Sequence, residues 1–143
     1  LYNIFSRGPE RELFTFLKKE GIGCIPFSPL AQGLLTNRYL QSELPMGSRM
    51  LKPHGYLKKE ALTTKKLDIL HELNHFASQR GQSLAAMSLA WVLRQSAVTS
   101  VLIGASRVDQ VEANLACLES PPFSDDELEK ILAIVQTEEE SRG

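Results

Sequence analysis

Thr99-Ser-Val-Leu-Ile-Gly104-Ala-Ser-Arg-Val-Asp-Gln-Val-Glu-Ala-Asn114 is the stretch whose reading decides the fold. Val101, Leu102 and Ile103 are β-formers with no polar interruption, as in a strand buried on both faces. Gly104 lets the backbone turn without a Cβ in the way. Ser106 with Asp109 three residues on makes a capping-box pattern, so a helix is expected next. Val108, Val111, Leu115 and Leu118 recur at helical spacing and are expected to face a core. A strand feeding straight into a helix leaves backbone N–H groups pointing out of the turn, where a phosphate can sit. Ser106, Gln110 and Asn114 form a polar column with Arg107 beside them. On these residues alone a plain capped helix is the simpler reading, because Asp109 repels phosphate.

Working back from that stretch, Leu1 to Phe5 reads as the end of a strand and Ile22 to Phe27 as another. Between them Pro9 opens a helix to about Glu20, with Leu13, Phe16 and Leu17 as its apolar face and Gly21 as its stop. Strand, helix and strand make a βαβ unit, which implies a parallel sheet with right-handed crossovers. Downstream of Phe27, Ser28 to about Lys59 shows no sustained period. Pro29, Gly33, Pro45, Gly47, Pro53 and Gly55 punctuate it. A loop of that length inside a compact domain is functional or disordered. It carries Arg38, Arg49 and Lys52, with Tyr39 and Tyr56 between. It reads either as a solvated basic loop or as a flap over an anionic ligand at the carboxyl end of the preceding strand.

Helices are expected from about Thr64 to Gln79, stopped by Gly81, and from Leu84 to Arg94, capped by Ser83. The second is apolar over much of its circumference and should be the most buried. Pro121-Pro122 ends the helix that follows Gly104. Ser124-Asp-Asp-Glu127 is a capping box for a terminal helix over 124–140 with Leu128, Ile131, Leu132 and Val135 as its stripe.

Length and composition fit this picture. The 143 residues, 43% apolar and 23% charged, are those of one soluble globular domain or part of one. A net charge of −1 gives no electrostatic case for nucleic acid or an anionic membrane. No apolar run reaches the length of a membrane span. Leu1-Tyr2-Asn3-Ile4-Phe5 has neither a start methionine nor a signal-peptide pattern, so the chain is expected to begin inside or just after a strand. Cys24 and Cys117 both lie in apolar patterns and read as buried small hydrophobes in a reducing compartment.

His71-Glu72-Leu73-Asn74-His75 matches the H-E-x-x-H pattern of zinc peptidases. On this helix, however, Ile69, Leu70, Leu73, Phe76 and Ala77 make the apolar face, and His71 and His75 project opposite it. A third ligand with the extended peptidase spacing is missing, so the peptidase is a remote alternative and no metal site is assigned. There is no Walker motif, and Gly21-Ile22-Gly23 precedes a strand where a dinucleotide fingerprint would follow one.

Ile25-Pro-Phe-Ser-Pro-Leu-Ala-Gln-Gly-Leu-Leu-Thr-Asn-Arg-Tyr39 and Val101 to Asn114 together resemble the aldo-keto reductase family. Tyr2-Asn3-Ile4-Phe5-Ser6-Arg7 is similar to the family's segment after its sixth barrel strand. The three stand in the family's order and at its intervals over essentially the whole chain. The likeness is greatest to bacterial glyceraldehyde-type reductases and to potassium-channel β subunits. The resemblance implies an α/β fold, the C-terminal portion of a (β/α)8 TIM barrel with about three parallel strands and surrounding helices. Residues 1–143 would be part of a single barrel domain, with 28–60 as the cofactor-covering loop. It implies a cytoplasmic oxidoreductase that reduces small carbonyl substrates with a nicotinamide dinucleotide, usually NADP(H), and it leaves a homo-oligomer open.

The same resemblance assigns roles. Phe27 matches the aromatic that stacks on the nicotinamide. Ser28, Pro29, Leu30, Ala31 and Gln32 match the segment beside the pyrophosphate. Arg38 and Arg49 match basic positions in the closing loop. Gly104, Ser106 and Gln110 match the group around the 2′-phosphate, with Arg107 assisting, and Asn114 matches a residue at the adenine. Ala113 stands where the family often has an acidic residue, with Glu112 one place earlier. The family's catalytic tyrosine, lysine, aspartate and histidine precede the point where this chain starts, so no catalytic residue is assigned here. An alternative with the same residues is a non-catalytic NADPH-binding sensor or channel-associated subunit. Three strands cannot close a barrel, and their faces are expected to lie open to water.

Overall fold

The computed structural model describes residues 1–40 and 62–136. Among the described residues five helices carry the fold: α1 (Leu13–Lys19), α2 (Thr64–Gln79), α3 (Leu84–Leu93), α4 (Val108–Leu115) and α5 (Asp125–Gln136). Short 3₁₀ turns at Gly8–Glu10, Ala31–Gly33, Asn37–Tyr39 and Ala116–Glu119 join them. Of the basic loop, 41–61 lies outside the described residues, and with it Arg49, Lys52 and Tyr56. So do 137–143 at the end of the expected terminal helix.

Among the described residues the expected strands around Cys24 and Val101 appear as extended segments joined by one isolated bridge, while the first is cut short by a turn at Ile4–Phe5 that an antiparallel Asn3–Ser6 bridge closes. Cys24 and Val98 make a parallel bridge, flanked by Cys24 N–H donating to the Ala97 carbonyl (2.8 Å) and Thr99 N–H to the Cys24 carbonyl (2.9 Å). Leu102 N–H then donates to the Pro26 carbonyl (3.0 Å), and Tyr2 N–H to the Phe27 carbonyl (3.5 Å). Pro26 has no N–H to give back, so the ladder cannot run unbroken at that point. The segments meet closely elsewhere: a Cβ on Gly23 would overlap Thr99 Oγ1.

The helices pack one face of these segments. α3 is buried through Leu84, Ala86, Met87, Leu89, Trp91 and Val92, as its all-round apolar sequence requires. Ser83 caps it by accepting from Ala86 N–H (3.1 Å). Ser88 is buried too and is satisfied by donating to the Leu84 carbonyl (2.7 Å). α2 lays Ile69, Leu70, Leu73, Phe76 and Ala77 on the same core and leaves His71 and His75 exposed. It ends where Gly81 takes φ +70°, with Gln82 N–H closing back on the Ala77 carbonyl (2.9 Å). α5 opens on the expected capping box. Ser124 N–H donates to Glu127 (2.8 Å), and Glu127 N–H donates to the Ser124 hydroxyl (3.2 Å). Backbone N–H donation from Ser124 first, then Arg80, holds the Glu127 carboxyl below its usual range.

Several expectations change. Val101–Ile103, expected as a strand buried on both faces, leaves Leu102 and Ile103 exposed. The first helix begins at Leu13 after a separate 3₁₀ turn, and it buries Phe14 with Leu17 half-buried, leaving Leu13 and Phe16 exposed. Ser106 is not the cap of α4: Arg107 stands at that position, and no side-chain cap forms. Asp109 bonds the Arg107 guanidinium, which takes it out of a capping box. The stripe Val108, Val111, Leu115 and Leu118 is exposed, with Val108 at 73%. Helical spacing marks an apolar face; it does not say what covers it.

An aromatic and ionic knot ties the N-terminal segment to α3. Tyr2 stacks on Trp91 (5.2 Å between centroids) and meets Phe14 edge-on (4.8 Å). The Tyr2 hydroxyl donates to Glu10 Oε1 at 2.5 Å. Arg94 bonds both Tyr2 Oη (2.9 Å) and Glu10 (3.0 Å) while lying over the Trp91 ring. Arg7 binds the other Glu10 oxygen (2.6 Å). Burial pushes the Glu10 carboxyl up, but the bonds from Arg7, Tyr2 and Arg94 outweigh it and hold the group below its usual range. Burial, and the bond to Glu10, push the Tyr2 phenol well above a free tyrosine.

Candidate functional site

Cys24–Phe27 and Val98–Ile103 run parallel, with the pairing slipping by one residue between Thr99–Cys24 and Leu102–Pro26, so both leave the fold at the same end. The first delivers Phe27 and the Ser28–Gly33 turn there. The second delivers Gly104, Ser106, Arg107 and the start of α4. Sites of parallel α/β folds form at this end of adjacent strands.

The Ser28–Gly33 turn is held in a strained backbone. Ser28 (φ 54°), Ala31 (φ 47°) and Gln32 (φ 58°) are all left-handed, and none is glycine. Each such residue costs on the order of 1–3 kcal/mol, and strain of this kind concentrates at ligand clamps. Pro29 is buried, while Ser28, Leu30, Ala31 and Gln32 are partly exposed. Phe27 keeps 53% of its surface exposed at the head of the turn, leaving a ring face open for stacking. After the turn Thr36 Oγ1 accepts from Arg38 N–H (3.3 Å), and Arg38 is half-buried. The neighbouring Tyr39 hydroxyl is buried and has no hydrogen-bond partner among the described residues.

At the second exit Gly104, Ser106 and Arg107 are exposed and Gln110 half-exposed. Gln110 Oε1 accepts from Ser106 N–H (2.9 Å) and from the Ser106 hydroxyl (3.3 Å), which gathers two of the expected column. Asn114, the third, is buried. The Arg107 guanidinium forks onto both Asp109 oxygens at 2.8 Å. That hydrogen bonding holds the Asp109 carboxyl below its usual range and raises Arg107 further. The exposed fork satisfies Arg107 without desolvating it.

The residue that sequence reasoning passes over is Asn3. It is 2% exposed and donates from Nδ2 to the Ser28 carbonyl (2.9 Å), across the gap between the first two extended segments. A lone asparagine before Ile-Phe-Ser reads as an ordinary turn former, so only the fold shows its reach. Tyr2, by contrast, has its hydroxyl committed to Glu10 and Arg94 and points away from proton-transfer chemistry.

Among the described residues the H-E-x-x-H segment gathers no third ligand. His71, Glu72 and His75 line an open groove of about 420 Å³ with Gln79 and Lys130, and His75 Nε2 lies 3.1 Å from Gln79 Nε2. Among the described residues no three His, Cys, Asp or Glu side chains converge as a metal would need.

The fold has solved counterparts. A glycerol dehydrogenase from Gluconobacter oxydans superposes with a TM-score of 0.75 at 23% identity, over 95% of this chain and 41% of that one. The likeness is one of fold, that of part of a β/α barrel. Residues 1–136 match the aldo/keto reductase family profile, and the chain belongs to that family. L-glyceraldehyde 3-phosphate reductase of Escherichia coli K12 is 45% identical over 134 residues, covering 91% of this chain and 38% of the relative. A probable voltage-gated potassium channel subunit beta of Oryza sativa is 34% identical over 139 residues, covering 95% and 42%. The chain therefore spans about two fifths of the length of the curated relatives it matches.

Proposed function

We propose that this chain is the C-terminal, cofactor-gripping part of an NADPH-dependent aldo-keto reductase acting on small aldehydes or ketones. The observation that carries the reading is the parallel pairing of the Cys24–Pro26 and Val98–Leu102 segments. It sends the strained Ser28 turn and the Ser106–Arg107 helix start out of one end of the fold. In this reading the three extended segments are the last three strands of a barrel. The exposed Ile25, Leu102 and Ile103, and the outward stripe of α4, are surfaces that the rest of a barrel would cover.

The donor set suits a nicotinamide dinucleotide. The Phe27 ring offers a stacking face for the nicotinamide, and Ser28 to Gln32 run alongside the pyrophosphate. Arg38 and Arg49, the latter outside the described residues, add positive charge over it. Gly104 admits close approach of the nucleotide, while Ser106, Arg107 and Gln110 hold the 2′-phosphate end and Asn114 backs the adenine. When bound, the dinucleotide supplies hydride to the carbonyl carbon of the substrate. The residues here bind, orient and exclude water, and proton donation is not among their roles. To take a 2′-phosphate, Arg107 must give up one or both of its bonds to Asp109, an exchange of one charged acceptor for another. A cytoplasmic location goes with this reading. Cys24 and Cys117 are free, and burial keeps the Cys117 thiol protonated.

Nucleotide titration tests the proposal. NADPH binding, read by its fluorescence, is expected to weaken roughly tenfold in Ser106→Ala and Arg107→Ala, with NADH binding much less affected, because each removes a charge-assisted contact. Equal losses for both nucleotides would remove the 2′-phosphate assignment. The likeness to a channel β subunit supports one other reading, in which the same grip serves sensing without turnover. Carbonyl-dependent oxidation of NADPH separates the two.

A further inference from the structure

We infer that Asn3 is a positioning residue for the pyrophosphate turn. It acts through the Ser28 carbonyl, and the inference rests on the functional reading above. Ser28 leaves the extended segment with φ 54°, so its carbonyl direction sets the path of everything to Gly33. That oxygen has two donors. Asn3 Nδ2 approaches at 2.9 Å and the Ala31 N–H at 3.1 Å. With both lone pairs engaged inside the fold, the carbonyl is turned away from any anion lying along the turn. A carbonyl oxygen facing a pyrophosphate would repel it.

Asn3 is itself fixed from the other side. Its Oδ1 accepts from Phe5 N–H and Ser6 N–H, each at 3.0 Å. Its backbone exchanges two bonds with Ser6, at 3.2 and 3.0 Å. The side chain is therefore a rigid strut between the first extended segment and the Ser28 turn. Only an amide fills this position, because one end must accept twice and the other must donate. Aspartate matches the shape and keeps the acceptor end. It loses the donor and sets a second oxygen against the Ser28 carbonyl.

That difference separates positioning from general stability. In Asn3→Asp, amide hydrogen exchange followed residue by residue is expected to stay slow at Phe5 and Ser6 and to accelerate roughly tenfold or more at Ala31 and Gly33. NADPH affinity is expected to fall by a similar factor. Asn3→Ser, which cannot span the gap, should loosen both sets of amides. A uniform acceleration throughout the Asn3→Asp chain, or unchanged exchange at Ala31, overturns the inference. A chain that holds its turn amides through Asn3 yet binds no nucleotide, even unsubstituted, overturns the functional reading and with it the pyrophosphate role. Exchange then still decides whether Asn3 holds the turn.

Discussion

Replacing Gln32 by glycine should make this protein more stable and a poorer nucleotide binder. Gln32 sits at φ 58°, ψ 24°, in the left-handed helical region. For an L-residue that region costs roughly 1–2 kcal/mol from the clash of Cβ with the carbonyl oxygen. Glycine removes the clash and loses about 0.5–1 kcal/mol through its larger unfolded-state freedom. The net gain is about 0.5–1 kcal/mol. With a urea slope of about 1.5 kcal/mol/M for a small domain, the midpoint should rise by roughly 0.3–0.7 M at unchanged slope. Gln32→Ala keeps the Cβ and should leave the midpoint within about 0.2 M of the parent, again on that slope. The gain comes from releasing a conformation held for a ligand, so NADPH affinity should drop in the glycine variant as the turn loses preorganisation. A lower midpoint for Gln32→Gly refutes the reasoning, since it would mean the side chain anchors the turn and the backbone is not strained.

Tyr2→Phe keeps the stacking on Trp91 but removes the hydroxyl between Glu10 and Arg94. It should cost about 1.5–3 kcal/mol, the range for a hydrogen bond to a charged group, in denaturant unfolding. In a double-mutant cycle with Arg94→Ala the losses should fall short of additive, because both act on Glu10. Glu10 is held below its usual range in the folded state, so the stability it contributes is present above about pH 4.5 and lost as pH falls through its folded-state value. Glu10→Gln should flatten that acid limb of the stability–pH curve, and an unchanged limb would exclude Glu10 as its source. Gly23→Ala pushes a Cβ into Thr99 and should destabilise by about 1–3 kcal/mol, with Thr99→Ser in the same chain recovering little because the blocking atom is the hydroxyl oxygen.

Much of this fold was legible before any coordinates. Gly81 and Ser83 bracket two helices, and the Ser124–Glu127 capping box opens a third, because such signals are local and each is satisfied within four residues of itself. The apolar stripe of α4 misled for a different reason. Val108, Val111, Leu115 and Leu118 do share a face, but periodicity is blind to whether anything packs there. Leu13 and Phe16 misled similarly once α1 began four residues later than Pro9 suggested. Resemblance marks Ser28–Gln32 only as a segment matching the one beside the pyrophosphate, and neither its turn nor its left-handed backbone can be read from Ser-Pro-Leu-Ala-Gln, which carries no glycine. Asn3, Glu10 and Arg94 were invisible because their partners are distant in sequence: Asn3 reaches Ser28, and Arg94 reaches back to Glu10 and Tyr2.

One experiment bears most directly on the claim that the two strand exits grip a single nicotinamide dinucleotide. Residue-resolved amide exchange is followed while NADPH is titrated into the protein. Protection should rise together, with one midpoint, over residues 28–35 and over 104–114, and NADH should protect the second region less. Protection confined to one of the two regions, or separate midpoints for them, would contradict the account.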